Sequence, residues 1–480
     1  MNMKNIIPFF LHIFLTTLSF GQTVEEIYPK TLWCPNDTFL IMYKDNPKVF
    51  PYRVSREDKI SPGTDANLDE YATIYYAKDS LRLFYNNKFP YQLNYYINFE
   101  SPKGKTTLRF HFNSVANFFD KAYAAQHNGK VSFAIPEVYE LANIIWTLSP
   151  SGKKAKDLNT GGEYHKRVLT YFKPYLNHPI FKQLDFPDSL YYYNYYDFRE
   201  NSFAFNFNDS SNKTGNTQLL FNGPYYYVYG EAELADSSLF GKLKPLVEDF
   251  VTKSSYREFY RGNLPYYNKQ IERQQALLPV KQMWTWLEEQ FPKLSFNSYK
   301  VIFSPLIGGS HSTQKYSAYF GRKYFGENVM FICNTDRFDR DKTLTEKQKE
   351  ALMSGIVFTE IDHNYVNPST DTYRKQVNSL FSNRNIWVKP GRGSNYYNNP
   401  TAVFNEYMTW SVFCLYVVDN YDEATANVVI NERESRMIEQ RDFTRFKEFN
   451  KALINIRKEH KALKVADLYP LILDWCKTQL

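Results

Sequence analysis

Cysteine is scarce in this sequence: Cys34, Cys333, Cys414 and Cys476 are the only four among 480 residues. None stands in a C-x-x-C pair, which argues against a cysteine-ligated zinc site, and four scattered thiols are too few for a disulfide framework. Export would permit one or two bridges, and the three full pairings stay open. Long apolar runs are missing as well. Past the first two dozen residues, nothing approaches the roughly 20 apolar residues that a spanning helix needs. Basic blocks are also absent. The formal net charge of +7 is spread along the whole chain, without the clustered Lys and Arg or the readable motifs that nucleic-acid binding uses. No long period suggests a solenoid.

What is present begins with the leader. MNMKNIIPFFLHIFLTTLSFGQ carries one charge, Lys4, then a short apolar run and small residues at Ser19 and Gly21. That layout predicts a secretory signal peptide over residues 1–21, cut between Gly21 and Gln22. The apolar run is short for a membrane anchor, and no cysteine at the cut offers a lipid attachment. The expectation is an exported protein, periplasmic or extracellular, with no membrane insertion after cleavage. Removal of Lys4 leaves a net charge of +6. Aromatics are abundant, with 40 Tyr and 39 Phe, and mostly read as packing and surface, since tyrosine joins an apolar body to a polar tip.

The predicted fold class is α+β: a β-rich N-terminal domain over 22–113 and a mostly helical domain over 114–480, its core at about 295–420. YATIYYAKDSLRLFYNN, YQLNYYINFES and TTLRFHFN are β-branched and aromatic, with turns at SPGTD, NNKFP and SPKGK. From Ser114 onward the apolar spacing becomes helical, as in IPEVYELANIIWTLSP. The Tyr-rich stretch 187–232 reads as a hairpin or a surface insertion. SYKVIFSPLIGGS is a strand entering a Gly-Gly turn, and ENVMFICNT is a second strand. A helix then runs through TEKQKEALMSGIVFTEIDHNYV and stops before Pro368, and another covers TAVFNEYMTWSVFCLYVVD after a loop.

Chemistry concentrates in TEIDH. In H-E-x-x-H, two histidines one helical turn apart bind zinc, and the glutamate takes a proton from the metal-bound water. Here Glu360 and His363 are in place and Thr359 stands at the first ligand position. Positions i and i+4 share a helix face, so Thr359 and His363 point together with Glu360 alongside. On the next helix Asn405-Glu406 follows His363 by 43 positions.

TEIDH with NEYMT downstream, in the order strand, strand, helix, loop, helix, resembles the gluzincin branch of zinc metallopeptidases over roughly residues 295–420. The wider set IPEVYELANIIWTLSP, YFKPYLNHPIF, SPLIGGSHST, TEIDHNYVNP and FNEYMTW also resembles a family of secreted bacterial peptidase-like proteins carrying a domain of unknown function, over about 114–480. The resemblance implies a zinc ion held by His363 and Glu406, with Glu360 as general base. Thr359 departs from the pattern, because a neutral hydroxyl is a poor substitute for imidazole and leaves the site one ligand short. Three outcomes stay open. Glu360 turns inward as a ligand in an E-x-x-H pair, His311 in GGSHSTQ swings in as the missing imidazole, or no metal is bound.

Oxyanion candidates are Tyr396, Tyr397, Arg436 and Arg441, although the arginines also suit pairing with Glu434 and Glu439. Glu137 and Glu140 read as first-turn helix acids, with Glu140 a candidate to face a cleft, and His178 as a turn histidine. If active, the protein would hydrolyse peptide bonds through a metal-bound water, its substrate paired to the strand at 301–307. The alternatives are a catalytically impaired relative that binds peptide or protein in the same cleft, and an envelope glycan binder using tyrosines of 190–228.

Overall fold

The computed structural model describes residues 119–209, 216–221, 238–320, 323–391 and 393–480, with strand segments between Gln22 and Asn113. The expected signal peptide, 1–21, lies outside the described residues. Helix and strand are mixed in an α+β composition. The chain divides into two compact units, residues 1–117 with 318–324, and residues 118–317 with 325–480.

In the first unit, Gln92–Ser101 and Gly104–Asn113 pair antiparallel across the predicted SPKGK turn, and Gln22–Ile27 joins Gly104–Asn113 in parallel. Thr38–Met42, Thr73–Ala77 and Ser80–Phe84 belong to a separate four-stranded sheet.

The second unit opens with β1 (Lys130–Ala134) and α1 (Glu137–Leu148), followed by α2 (Tyr191–Asn201), α3 (Tyr256–Leu277) and α4 (Val280–Gln290). Three strands come next: β2 (Ser298–Phe303), β3 (Ser312–Phe320) and β4 (Lys323–Ile332), of which residues 318–320 and 323–324 are counted with the first unit. The remaining helices used below are α5 (Glu346–Asp371), α6 (Pro400–Asn420), α7 (Glu423–Ser435), α8 (Phe446–Glu459) and α9 (Tyr469–Lys477).

The sheet order is β3-β4-β2-β1. β2 is parallel to both neighbours, so Val301 sits between Met330 and Phe133. Buried parallel strands favour continuous apolar runs, and Val301, Ile302 and Phe303 are all fully buried. This corrects two expectations. The strand near 301–307 is interior and has no free edge for a substrate. The edges are β1 and β3, and β3 was hidden in the sequence because SHSTQKYSAYF mixes polar and apolar residues without clean alternation.

Helix α5 starts with a capping box: Gln348 N donates to Thr345 Oγ1 at 3.2 Å, and Thr345 N donates to Gln348 Oε1 at 2.9 Å. Met353, Val357, Phe358, Ile361, Tyr365 and Val366 bury it on nearly every side, as befits a central helix. It does not stop before Pro368 as predicted but continues to Asp371. Pro368 falls near the helix end, and Ser369 Oγ supports that turn through Tyr365 O at 2.8 Å. Gly355 permits close packing: a Cβ there would meet Arg433 Nη2 at 2.6 Å and a Phe413 ring carbon at 2.7 Å.

The Tyr-rich stretch, read as a hairpin or an insertion, contains both a helix and a hairpin. Its first part is α2, held in the core by Tyr195 and Phe198. A short hairpin then pairs Phe205–Phe207 with Leu219–Phe221.

Candidate functional site

Helices α5 and α6 lie side by side and bring TEIDH and Asn405-Glu406 together. The His363 Nε2 atom stands 4.0 Å from Glu406 Oε2. The ring is partly exposed, and its Nδ1 is 3.5 Å from both Asn367 Oδ1 and Thr409 Oγ1. Glu406 is buried at 3% exposure. Its Oε1 accepts from Trp410 Nε1 at 2.6 Å, one turn further along α6, and also from Arg441 Nη1. Arg441 Nη1 donates in addition to Tyr397 Oη at 2.8 Å. Both Arg441 and Tyr397, two sequence candidates, therefore meet Glu406, whereas the side chain of Tyr396 lies outside the described residues.

Thr359 is buried and its hydroxyl is spent on its own helix, donating to Gly355 O at 2.9 Å and lying 3.3 Å from Ile356 O. Such back-bonding satisfies a threonine inside a helix. Burial raises the Glu360 carboxyl; His363 opposes this, Glu406 adds to it and Arg441 opposes it. Asp362, between them in sequence, points to the protein interior. It is fully buried with no hydrogen-bond partner on either oxygen. Burial holds its carboxyl well above the usual range, with Glu406 and Glu360 adding repulsion.

A second carboxylate wall was not anticipated. Glu200, at the end of α2, accepts from Ser312 Oγ and, at 3.3 Å, from Gln314 Nε2, both on edge strand β3. Burial pushes its carboxyl up to about 7, and the charge of Glu360 contributes. In YYYNYYDFREN nothing distinguishes this glutamate from a solvated helix acid. Only the return of the chain as β3 gives it a partner.

His311 is one candidate source of the missing imidazole. Its Nε2 is buried without a hydrogen-bond partner. Burial, with Arg337, Arg433, Arg436 and Arg441 nearby, pushes its pKa down to about 3. The loop that carries it is pinned to Asp157, whose carbonyl accepts from Gly308 N and Gly309 N at 2.8 Å each. A Cβ on Gly308 would come within 3.2 Å of that same carbonyl, so the Gly-Gly turn serves close backbone approach.

A catalytic zinc takes three protein ligands and an open position. His363 and Glu406 are two suitable donors, but the Thr359 hydroxyl is committed to Gly355 O and the Glu406 carboxylate to an arginine. Among the described residues, no three His, Cys, Asp or Glu side chains gather as metal ligands. Thr359 thus adds no third donor to His363 and Glu406. Comparison with protein-family models, curated proteins and solved structures gives no match.

The remaining candidates have structural partners. His178 caps a short helix through Ile180 N at 3.2 Å and reaches Asp249 at 2.9 Å. Glu137 pairs with Arg257 at 3.0 Å. Glu140 is buried, accepts from Tyr164 Oη at 2.7 Å and is raised to about 8 by burial. Arg436 pairs with Glu432 rather than with Glu434 or Glu439. Of the tyrosines proposed for glycan stacking, Tyr195 is buried, whereas Tyr192 and Tyr193 are exposed; residues 222–237 lie outside the described residues. Tyr192 is edge-on to Tyr191 at 84° and to Tyr195 at 79°, and stacks on Tyr196 at 27°. Cys333, Cys414 and Cys476 are buried free thiols.

Proposed function

We propose that this is an exported peptide- or protein-binding relative of the gluzincin-type peptidases, with a β-rich N-terminal domain and a cleft that works without a catalytic zinc. The reading of zinc-dependent hydrolysis rests on Glu360, His363 and Glu406 alone. The Arg441–Glu406 ion pair is the observation that favours binding over hydrolysis. It neutralises the carboxylate that a metal would need, while Thr359 offers no imidazole.

Edge strand β3 suits an extended peptide, because an unpaired strand edge presents main-chain donors and acceptors to an added strand. Glu200 fixes the side chains of Ser312 and Gln314, which share one face of that strand. Glu360 acts electrostatically on Glu200, the residue that holds this strand's side chains. The test is hydrogen exchange with a set of unstructured decapeptides. Slower exchange at amides of 312–317 is expected. Unchanged exchange there at saturating peptide would sink the proposal.

A further inference from the structure

A pocket of about 270 Å³ opens beside the first half of α5 and the end of α7. Its lining combines Arg337, Arg433 and Arg436 with Phe338, Leu344 and Leu352, and includes Asp341 and Glu432. Three guanidinium groups against two carboxylates leave a single net positive charge. Neither carboxylate fully answers the arginines. Asp341 is turned to its own loop, accepting from Thr343 N at 2.9 Å. Glu432 Oε1 accepts from Arg436 Nε at 2.9 Å. Its Oε2 stands 3.2 Å from Arg433 Nε, yet alignment is poor and both atoms are buried without a hydrogen bond.

Arg433 is the unusual member. It is 2% exposed, with its guanidinium 4.4 Å from the Trp410 ring centroid and 5.5 Å from that of Phe413. A buried cation with an unmet donor calls for an anion. Burial pushes its pKa down to about 10, in keeping with a charge left under-compensated.

We propose that this pocket receives the C-terminal residue of the bound peptide, its α-carboxylate on the arginines and its apolar side chain against Phe338, Leu344 and Leu352. The inference rests on the peptide-binding reading of the cleft and extends it to a substrate class. One net positive charge matches a monoanionic carboxylate better than a phosphate dianion, and the apolar half of the lining gives a side chain somewhere to go. The pocket also adjoins the cleft through one ring: Trp410 lies under Arg433, donates to Glu406, and has Arg441 4.9 Å from its centroid. Along α5, Leu352 and Thr359 are two turns apart, about 10 Å at 1.5 Å per residue. An extended peptide covers that distance in about three residues.

Binding of Ala-Ala-Ala-Ala-Leu carrying a fluorescein on its N-terminal amine, as free acid and as C-terminal amide, tests this by fluorescence anisotropy. The amide should bind about tenfold or more weakly, the loss expected for charge-assisted hydrogen bonds to carboxylate. Replacing the terminal Leu by Asp should weaken binding too. Arg337→Ala with Arg436→Ala should lose the preference for acid over amide; both arginines lie near the surface, so the variant does not depend on removing buried Arg433. Equal binding of acid and amide, with 312–317 still protected, would overturn the pocket and leave the cleft reading intact. Binding of acetate or phosphate but neither peptide would overturn both.

Discussion

Replacing Glu200 by Gln removes one titrating group from the cleft wall while keeping its shape. The side chain is 3% exposed and its carboxyl is pushed up from the ordinary 4.5 to about 7. Between those values the folded protein keeps a proton that the unfolded chain has released, so unfolding free energy falls as pH rises. At about 1.4 kcal/mol per pH unit, the accumulated loss is about 3 kcal/mol once pH exceeds the folded-state value. Ser312 donates to Oε1 and Gln314 to Oε2; the glutamine keeps one carbonyl acceptor and puts an NH2 donor where the protonated acid has its O–H, so the two proteins should match in acid. Above neutrality Glu200→Gln should be the more stable, by up to about 3 kcal/mol. Urea unfolding followed by tryptophan fluorescence, from about pH 5 to about pH 8.5, measures this difference. Glu140 and Asp362 titrate abnormally in both proteins, so subtracting one curve from the other isolates Glu200. Parallel stability curves would refute the buried placement of this carboxyl against β3.

Two further substitutions probe the helix that carries TEIDH. Asp362→Asn should stabilise the protein at neutral pH by at least about 1 kcal/mol, because it replaces a buried, unpartnered acid. The raised carboxyl means that this gain appears as pH climbs above the ordinary range of an aspartate and vanishes below it. A stability difference independent of pH would count against it. Gly355→Ala should destabilise: helix propensity returns about 1 kcal/mol, but the added methyl collides with Arg433 and Phe413 and overpacking costs about 1–3 kcal/mol. Thermal unfolding reads the balance, and a higher midpoint would show that the contact is loose.

The helix signals were legible because they are local. The helical spacing of TEKQKEALMSGIVFTEIDHNYV and TAVFNEYMTWSVFCLYVVD foretold α5 and α6, which bring His363 within 4.0 Å of Glu406. β3 was not legible, since edge strands need no continuous apolar run and its place beside β4 is fixed by the sheet. Glu200 and the Arg433 pocket were invisible for a related reason. Both depend on chain segments about a hundred residues apart, Glu200 with Ser312 and Arg433 with Leu352 and Phe338, and no short motif encodes such a meeting. Arg441 was picked out as a candidate, but its partner was not. The sequence pointed to Glu434 or Glu439, whereas the fold supplies Glu406. Pro368 misled in the opposite direction, because α5 runs three residues past it.

Metal content of the purified protein is the most direct test of the cleft. After expression with added zinc and dialysis, elemental analysis should find far less than one zinc per chain in normally folded protein. About one zinc per chain, lost in His363→Ala and in Glu406→Ala, would contradict a metal-free peptide-binding cleft.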